Sequence, residues 1–198
     1  MYKTVVIDPP WKKSSGGVGN KTLQVSTHYP VQTRGEIVET IKTWMTQYAV
    51  APEAHMYMWT INTFTAGPNQ GILAALDVCE KLGFKPISLI PWVKSNVGSP
   101  TPYGMRYTEM CVFAVRYRKG RGKRTRYAGT AEVESVSHPN LCSSKDFIMA
   151  PRRQHSRKPD EFYSYVETRS NGPYLELYSR TSRPGWMGVG NQMGTWSV

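Results

Sequence analysis

The stretch Thr4-Val5-Val6-Ile7-Asp8-Pro9-Pro10-Trp11 is an apolar, largely β-branched run that stops at a carboxylate and two prolines. β-Branched side chains favour a strand, and the prolines end it because they have no N–H to donate to a sheet ladder. The stretch therefore predicts a buried strand that ends abruptly and delivers Asp8 to one edge of a sheet.

Helical and strand patterns alternate through the rest of the chain. Apolar residues recur at helical spacing in residues 35–48 and again in 71–82, where Gly83 marks the end. The remaining predicted elements are strands at 55–59, 87–93, 109–116 and 174–178, a helix at about 159–170 that begins with Pro-Asp-Glu, and a turn-rich, irregular tail at 183–192. This alternation predicts an α/β fold with a wound sheet, organised as one domain over residues 1–198.

The charge favours a polyanionic partner. The chain has 198 residues and a formal net charge of +11, which favours nucleic acid first and an anionic membrane surface second. Seven cations crowd the Gly-rich segment 116–126, and we expect this cationic hairpin to contact phosphates. They are Arg116, Arg118, Lys119, Arg121, Lys123, Arg124 and Arg126.

Cysteine and histidine usage argues against disulfides and metals. Cys79, Cys111 and Cys142 are widely spaced and odd in number, so neither a disulfide framework nor a CxxC motif is present. The histidines are equally scattered, and no metal site is predicted. With no apolar run of membrane-spanning length, the sequence predicts a soluble, cytoplasmic protein in a reducing compartment.

The Asp8-Pro9-Pro10-Trp11 motif has an unusual set of chemical groups. The Asp8 carboxylate and the Pro9 carbonyl could each accept one N–H of an exocyclic amine while an aromatic ring packs on the base. Such a site would aim the nitrogen lone pair at an electrophile. The alternative from these four residues alone is a strand-ending turn with a buried tryptophan.

Five further motifs follow in a fixed order and extend the pattern to residue 192. They are His28-Tyr29-Pro30, Trp92-Val93-Lys94-Ser95-Asn96, the run 155–161 that contains Lys158-Pro159-Asp160-Glu161, the run 175–186 that contains Glu176, Arg180 and Trp186, and Gly190-Asn191-Gln192. With the first motif, they resemble the MT-A70 family of adenine-N6 methyltransferases. The resemblance implies a Rossmann-like methyltransferase fold with a mixed, mostly parallel sheet flanked by helices, and S-adenosylmethionine as methyl donor.

The resemblance also implies roles for individual residues. Asp8 and Pro9 would hold the target N6, with Pro10 and Trp11 completing the catalytic motif and the Trp11 ring shaping the base pocket. The residues expected at the donor are Asp8, Lys158, Glu176, Arg180, Asn191 and Gln192. The alternatives are a surface ion pair for Glu176 and Arg180, a solvated charge for Lys158 and a plain turn for the Asn-Gln pair.

Loops at about 11–30, 95–106, 116–131 and 143–158 are expected to form the substrate surface. His28 and Tyr29 would touch the adenine, and Asn96 and Arg106 would reach base edges. The phosphate-contacting cations would be Arg118, Lys119, Arg121, Lys123 and Arg124.

The sequence departs from the family pattern at two places. The first strand starts almost at Met1, so we expect residues 1–198 to contain no counterpart of the strand and acidic turn that precede the motif in longer members. Arg183 stands where longer members often have an amide or a histidine, so we assign no donor contact to Ser182 or Arg183 from the sequence.

Together these features predict an S-adenosylmethionine-dependent enzyme that methylates N6 of adenine in DNA, single-stranded or locally opened. DNA is preferred because no RNA-binding module is appended to the compact chain and its cationic segment reads phosphates irrespective of the sugar. The alternatives are an RNA adenine-N6 methyltransferase with the same site and a non-catalytic nucleic-acid-binding subunit of a methyltransferase complex. The sequence leaves open a monomer, a homodimer or a heterodimer.

Overall fold

The structure is a computed structural model, and it describes residues 1–12, 30–64, 69–101, 104–117, 146–153 and 157–190. In this part of the chain there are three helices: α1 (Arg34–Gln47), α2 (Ile72–Lys81) and α3 (Asp160–Glu167). The strands are β1 (Tyr2–Ile7), β2 (Val50–Ile61), β3 (Lys85–Lys94), β4 (Ser99–Thr101), β5 (Gly104–Arg106), β6 (Thr108–Arg116), β7 (Ile148–Ala150), β8 (Tyr174–Leu177) and β9 (Trp186–Val189).

Seven of these strands form one sheet in the order β7-β3-β6-β2-β1-β8-β9. β1 runs parallel to both β2 and β8, and β6 runs antiparallel to its neighbours β2 and β3. β4 and β5 form a separate antiparallel hairpin. The sheet is therefore mixed and mostly parallel, which confirms the predicted Rossmann-like α/β class.

Alternation along the strands divides the core between the two faces of the sheet. Val5 and Ile7 face a cluster that contains the buried sides of α1 and α2, whereas Val6 faces a cluster built around Phe162 and Val166 of α3. Helices thus cover both faces, and a side chain's place in the strand alternation decides which face it joins.

Local signals explain where two of the helices begin. The Thr33 side chain accepts the Glu36 N–H, and the Glu36 carboxylate accepts the Thr33 N–H, so a capping box starts α1. At α3 the predicted start was off by one residue: Pro159 is the N-cap, and Asp160 and Glu161 occupy the first turn, where the helix dipole favours acids.

Three predictions on loops and tail were wrong in part. The tail from Arg183 contains strand β9, which pairs in parallel with β8. The predicted loop 143–158 contains β7, and the predicted loop 95–106 contains the β4–β5 hairpin. These strands have only three or four residues, too few to show periodicity, and they form because a longer strand or a hairpin partner supplies their ladder.

The strand order changes direction at β1. From β1 the chain crosses through α1 to β2 on one side, while β8 lies on the other side of β1. In open α/β sheets, ligands bind at the carboxyl edge beside such a switch point. No helix among the residues that the structure describes is both long and apolar enough to cross a membrane.

Candidate active site

The first motif lies at the carboxyl end of β1, where backbone hydrogen bonds hold it. The Gln32 N–H donates to the Pro10 carbonyl at 2.8 Å, and the Lys12 N–H donates to the Gln32 carbonyl at 2.9 Å. The Trp11 indole is 9% exposed and its Nε1–H donates to the Trp59 carbonyl at 3.0 Å. The tryptophan therefore anchors the motif to β2, as the structural alternative from the sequence predicted.

The Pro9 carbonyl already has one hydrogen bond within the motif. The Trp11 N–H donates to it at 2.9 Å. A carbonyl oxygen has two lone pairs, so Pro9 retains one acceptor position for a ligand N–H. The carbonyl acceptor inferred from the sequence is present, with half of its capacity used internally.

A chain of four alternating charges crosses the carboxyl edge of the sheet. Lys158 Nζ lies 3.0 Å from Asp8 Oδ2 and 3.3 Å from Glu109 Oε2. Glu109 Oε1 in turn lies 2.8 Å from Lys94 Nζ, whose side chain is 4% exposed. Lys158 is thus a bridge between Asp8 and Glu109 and not a solvated charge beside a helix.

The charge chain stabilises the ionised forms of Lys158 and Glu109. Burial alone lowers the pKa of Lys158, but the carboxylates of Asp8 and Glu109 outweigh it and raise that pKa above its usual value. Burial alone raises the pKa of Glu109, but Lys158 and Lys94 lower it to below its usual value. Lys158 Nζ also lies 5.0 Å from the centre of the Trp59 ring, and this cation–π contact further stabilises the ammonium group.

Glu176 is a buried carboxylate on β8. It is 8% exposed and lies on the same face as α3, because Leu175 and Leu177 on either side face the opposite core. Tyr163 Oη donates to its Oε1 at 2.6 Å and Ser179 Oγ donates to its Oε2 at 3.1 Å. Burial raises the pKa of Glu176 and these two hydrogen bonds oppose the rise. Glu176 is therefore a buried, hydrogen-bonded carboxylate, and the alternative of a surface ion pair is wrong for this residue.

Asp8, Lys158, Glu176 and Arg180 line one cleft, so the structure brings together these four of the residues predicted at the donor. Tyr178 lines it too, in the left-handed region at φ 61°, a rare conformation for a bulky residue that turns the chain directly after β8. The other lining residues are Arg157, Asp160, Tyr163, Thr181, Ser182, Arg183 and Pro184. Asn191 and Gln192 lie outside the described residues.

Sequence reasoning missed Glu109, Tyr163 and Arg183. Glu109 pairs in register with Trp92 near the start of the antiparallel strand β6, so it reaches the edge where the parallel strands end. The position of Glu109 at the start of a predicted strand would have placed it at this edge only if that strand had been known to run antiparallel to its neighbours. For Tyr163 the signal was its position one helical turn after the Pro-Asp-Glu motif.

Two of the predicted substrate-binding residues lie in the described part of the chain. The Asn96 side chain connects two loops by hydrogen bonds. Its Oδ1 accepts the Arg152 N–H at 2.8 Å and the Val97 N–H at 2.7 Å, and its Nδ2 donates to the Arg152 carbonyl at 3.1 Å. Arg106 ends β5 and pairs in register with Ser99. The rest of the set lies outside the described residues: His28, Tyr29, Arg118, Lys119, Arg121, Lys123 and Arg124.

The donor set of the cleft fits a nucleoside that carries an amino-acid tail. The carboxylate of Glu176 would accept ligand hydroxyls, and the cationic side chains of Arg157, Lys158 and Arg180, which line the same cleft, would hold a ligand carboxylate. Across the described ranges of the chain, no group of three or more His, Cys, Asp or Glu side chains could hold a metal ion.

The fold and the cleft define a Rossmann-like α/β protein with a cleft beside the switch point of its sheet. The MT-A70 family model matches residues 2–192, and the chain belongs to that family. A Medicago truncatula protein named "Putative N(6)-adenosine-methyltransferase MT-A70-like" is 29% identical over 127 residues, which are 59% of this chain and 18% of that protein. The "N(6)-adenosine-methyltransferase MT-A70-like" protein of Arabidopsis thaliana is 28% identical over 127 residues, 59% of this chain and 16% of that protein. The match thus spans less than a fifth of either relative.

Proposed function

We propose that this protein is an S-adenosylmethionine-dependent methyltransferase that acts on N6 of adenine in a polynucleotide. The observation that supports this most is the position of two carboxylates. Asp8 directly follows β1, and Glu176 on the neighbouring strand β8 pairs in register with Val6, so adjacent strands bring both carboxylates to one cleft. One serves the amine to be methylated and the other serves the methyl donor.

Asp8 and Pro9 are the residues assigned to the adenine. The Asp8 carboxylate and the free lone pair of the Pro9 carbonyl each accept one N–H of the exocyclic amine, which directs the nitrogen lone pair away from both acceptors. Lys158 shifts towards Glu109 as the amine takes its place at Asp8. Pro10 and Trp11 keep this short segment rigid, since Pro10 accepts the Gln32 N–H and Trp11 is bound to β2.

Glu176, Lys158 and Arg180 are the residues assigned to S-adenosylmethionine, with Asp8 at the same cleft and Asn191 and Gln192 as further candidates from the family motif. The donor, when bound, supplies an electrophilic methyl group on a sulfonium sulfur. Glu176 accepts the ribose hydroxyls, and the cations hold the carboxylate of the methionine portion. Because the Glu176 carboxylate is buried, water is excluded that would compete with the ribose hydroxyls for its lone pairs.

DNA is the polymer we propose, and the net charge of +11 supports binding to a polynucleotide through its phosphates. A single-stranded or opened site would lower the cost of extruding the adenine. RNA is the second candidate, because both relatives are named for adenosine. Residues 1–198 are proposed to act as one methyltransferase domain, either alone or as a homodimer or heterodimer, with the four loop regions around the cleft as the substrate surface.

The test is a mass-spectrometric count of N6-methyladenine in matched DNA and RNA oligonucleotides after incubation with S-adenosylmethionine. Wild-type protein is compared with Asp8→Ala and with Glu53→Gln, which removes an exposed carboxylate from β2. We expect methylated DNA with wild type and Glu53→Gln and none with Asp8→Ala.

Other outcomes would change the proposal. Product on RNA alone would overturn the choice of DNA, and equal product with Asp8→Ala would overturn the assigned role of Asp8. Undiminished polynucleotide binding with no product and no donor binding would favour a non-catalytic subunit.

A further inference from the structure

Arg183 is the cleft residue that the family pattern did not anticipate. Its Nη2 donates to Asp160 Oδ1 at 2.7 Å, and its guanidinium carbon lies 3.8 Å from the centre of the Tyr163 ring. Asp160 also pairs with Arg153 through its other oxygen. Asp160 and the tyrosine ring therefore fix the plane of the guanidinium from two sides.

Tyr163 connects this arginine to Glu176. The tyrosine is 6% exposed, its ring lies under the guanidinium, and its hydroxyl donates to Glu176 Oε1. The edge of the ring also packs against Trp186 with ring centres 5.3 Å apart. Because α3 carries both Asp160 and Tyr163 one turn apart, one helix face aligns the arginine, the ring and the carboxylate.

Two charged groups and neutral hydroxyl donors act on Glu176. Asp8, after β1, disfavours the charged carboxylate, and Arg183, before β9, favours it. Tyr163 on α3 contributes a hydroxyl, and burial raises the pKa of that hydroxyl well above its usual value, so it stays a neutral donor. The register partners of Glu176 on the neighbouring strands, Val6 and Gly188, carry no charge.

We propose that Arg183, held by Asp160, is a positioning residue that keeps Glu176 ionised and aimed at the ribose of the methyl donor through the ring and hydroxyl of Tyr163. The proposal rests on the proposed function, in which Glu176 accepts the ribose hydroxyls. An ionised carboxylate with one hydrogen bond on each oxygen still has a free lone pair on each oxygen for a diol. A protonated carboxyl group would carry its own O–H donor on one oxygen, so that oxygen could not accept a hydrogen bond from the diol in the same way.

Arg183 acts on a carboxylate whose pKa already lies above its usual value because the group is buried. Burial and the nearby Asp8 both raise the pKa of Glu176, and the positive charge of Arg183 opposes them. The pKa of Asp160 lies below its usual value because Arg183 and Arg153 outweigh its burial, so the arginine keeps its anionic partner over the working pH range. Loss of Arg183 would leave a buried carboxylate beside Asp8 without that support.

The first test needs no donor and follows the Glu176 carboxyl carbon by ¹³C NMR as pH changes. The variants are Arg183→Gln, Arg183→Lys and Tyr163→Phe, and the matched control is Arg169→Gln. Arg169 also stacks on a tyrosine of α3, with 3.7 Å to the centre of the Tyr165 ring, but it follows the far end of the helix. We expect Arg183→Gln and Tyr163→Phe to move the Glu176 titration to higher pH, Arg183→Lys to restore most of the wild-type behaviour, and Arg169→Gln to match wild type.

The second test measures S-adenosylmethionine affinity by calorimetry at pH 8 and pH 6. We expect Arg183→Gln to lose at least threefold more affinity than wild type on this change of pH, while kcat at saturating donor changes less than twofold. A kcat loss without an affinity change, or equal pH dependence in both proteins, would overturn the positioning role. If wild type binds no donor but its Glu176 titration still responds to Arg183, the proposed function fails and the electrostatic link stands.

Discussion

Lys158 Nζ lies 3.0 Å from Asp8 Oδ2, so the carboxylate proposed to receive the adenine amine is already paired with a lysine. The same ammonium lies 3.3 Å from Glu109 Oε2. A lysine between two carboxylates can move towards one while the other binds a ligand, without becoming an unpaired buried charge. Glu109 therefore lowers the free-energy cost of breaking the Lys158–Asp8 ion pair.

We expect Glu109→Gln to lower kcat for N6 methylation about tenfold or more. The neutral amide removes the second partner of Lys158, so the lysine stays on Asp8 and competes with the amine. Donor affinity should fall by a smaller factor than kcat, because Glu176 and Arg180, two of the three residues assigned to the donor, are unchanged. Steady-state kinetics with separate variation of donor and oligonucleotide would show the split.

Glu39→Gln is the matched control for this change. It removes a carboxylate from another lysine pair, with Lys42 at 3.0 Å, but that pair lies on the exposed surface of α1. Exposed pairs contribute roughly 0–1 kcal/mol, so the control should behave as wild type. A Glu109→Gln enzyme with unchanged kcat would show that Asp8 does not need a second partner for Lys158.

The sequence predicted the elements whose signals are local. β1 was readable because apolar residues run directly into Asp8 and two prolines, and α1 because its apolar residues keep helical spacing. Asp8, Lys158, Glu176 and Arg180 were then placed in one site by ordered motifs, and the structure brings all four to one cleft. The pairing of Lys158 with Glu109 was not readable, because it depends on an antiparallel strand 49 residues away in sequence.

The short strands show a second limit. Trp186–Val189 has four residues, and its pairing with β8 depends on the edge that β8 offers. Arg183 was left without a role for the same reason, since only the fold places it over Tyr163. Arg116, the first residue of the predicted cationic segment 116–126, ends β6 and donates to the Val50 and Ala51 carbonyls. Residues 118–126 lie outside the described residues, so their phosphate contacts stay a prediction.

Trp11→Phe tests whether the motif tryptophan acts mainly as an anchor. Phenylalanine keeps a ring in the core but cannot donate to the Trp59 carbonyl, so we expect the free energy of unfolding to fall by about 1–3 kcal/mol. The methylation rate of the folded variant, measured without denaturant, should stay within threefold of wild type. Chemical denaturation and oligonucleotide kinetics would test both, and a large rate loss with unchanged stability would assign the indole to the base pocket instead.

Gly190→Ala should destabilise the protein and weaken donor binding together. A Cβ at this position would lie 2.3 Å from the Ser179 carbonyl oxygen and 2.9 Å from the Ser179 nitrogen. β9 would have to move away from Ser179, which donates to Glu176, and such overpacking costs about 1–3 kcal/mol. Thermal unfolding and calorimetric donor titration are the measurements.

Gly35→Ala is the matched control for Gly190→Ala. A Cβ at residue 35 meets nothing within 4 Å, and the residue lies in the first turn of α1. Alanine should raise the free energy of unfolding by about 0.4–1 kcal/mol by restricting the unfolded chain. If Gly190→Ala proved as harmless as this control, close contact between residue 190 and Ser179 would be ruled out.

His55 gives the fold a specific sensitivity to acid. The ring is 1% exposed, its Nδ1 lies 2.6 Å from Ser170 Oγ, and Tyr57 Oη lies 2.7 Å from the same hydroxyl. Burial lowers the pKa of His55 from 6.5 to about 4. Between these values the unfolded chain binds a proton that the folded chain does not, so the free energy of unfolding falls as pH decreases.

The expected loss from His55 is up to about 3 kcal/mol on going from pH 7 to pH 4. His55→Gln cannot take up this proton, so its unfolding free energy should fall less steeply over the same range, even if its value at pH 7 is lower. Carboxylates with lowered pKa values, such as Glu109 and Asp160, begin to lose their stabilising effect below about pH 5, and this loss occurs equally in both proteins. Urea denaturation of both proteins at intervals from pH 7 to pH 4 would measure the difference, and parallel curves would show that His55 is protonated as readily in the folded chain as in the unfolded one.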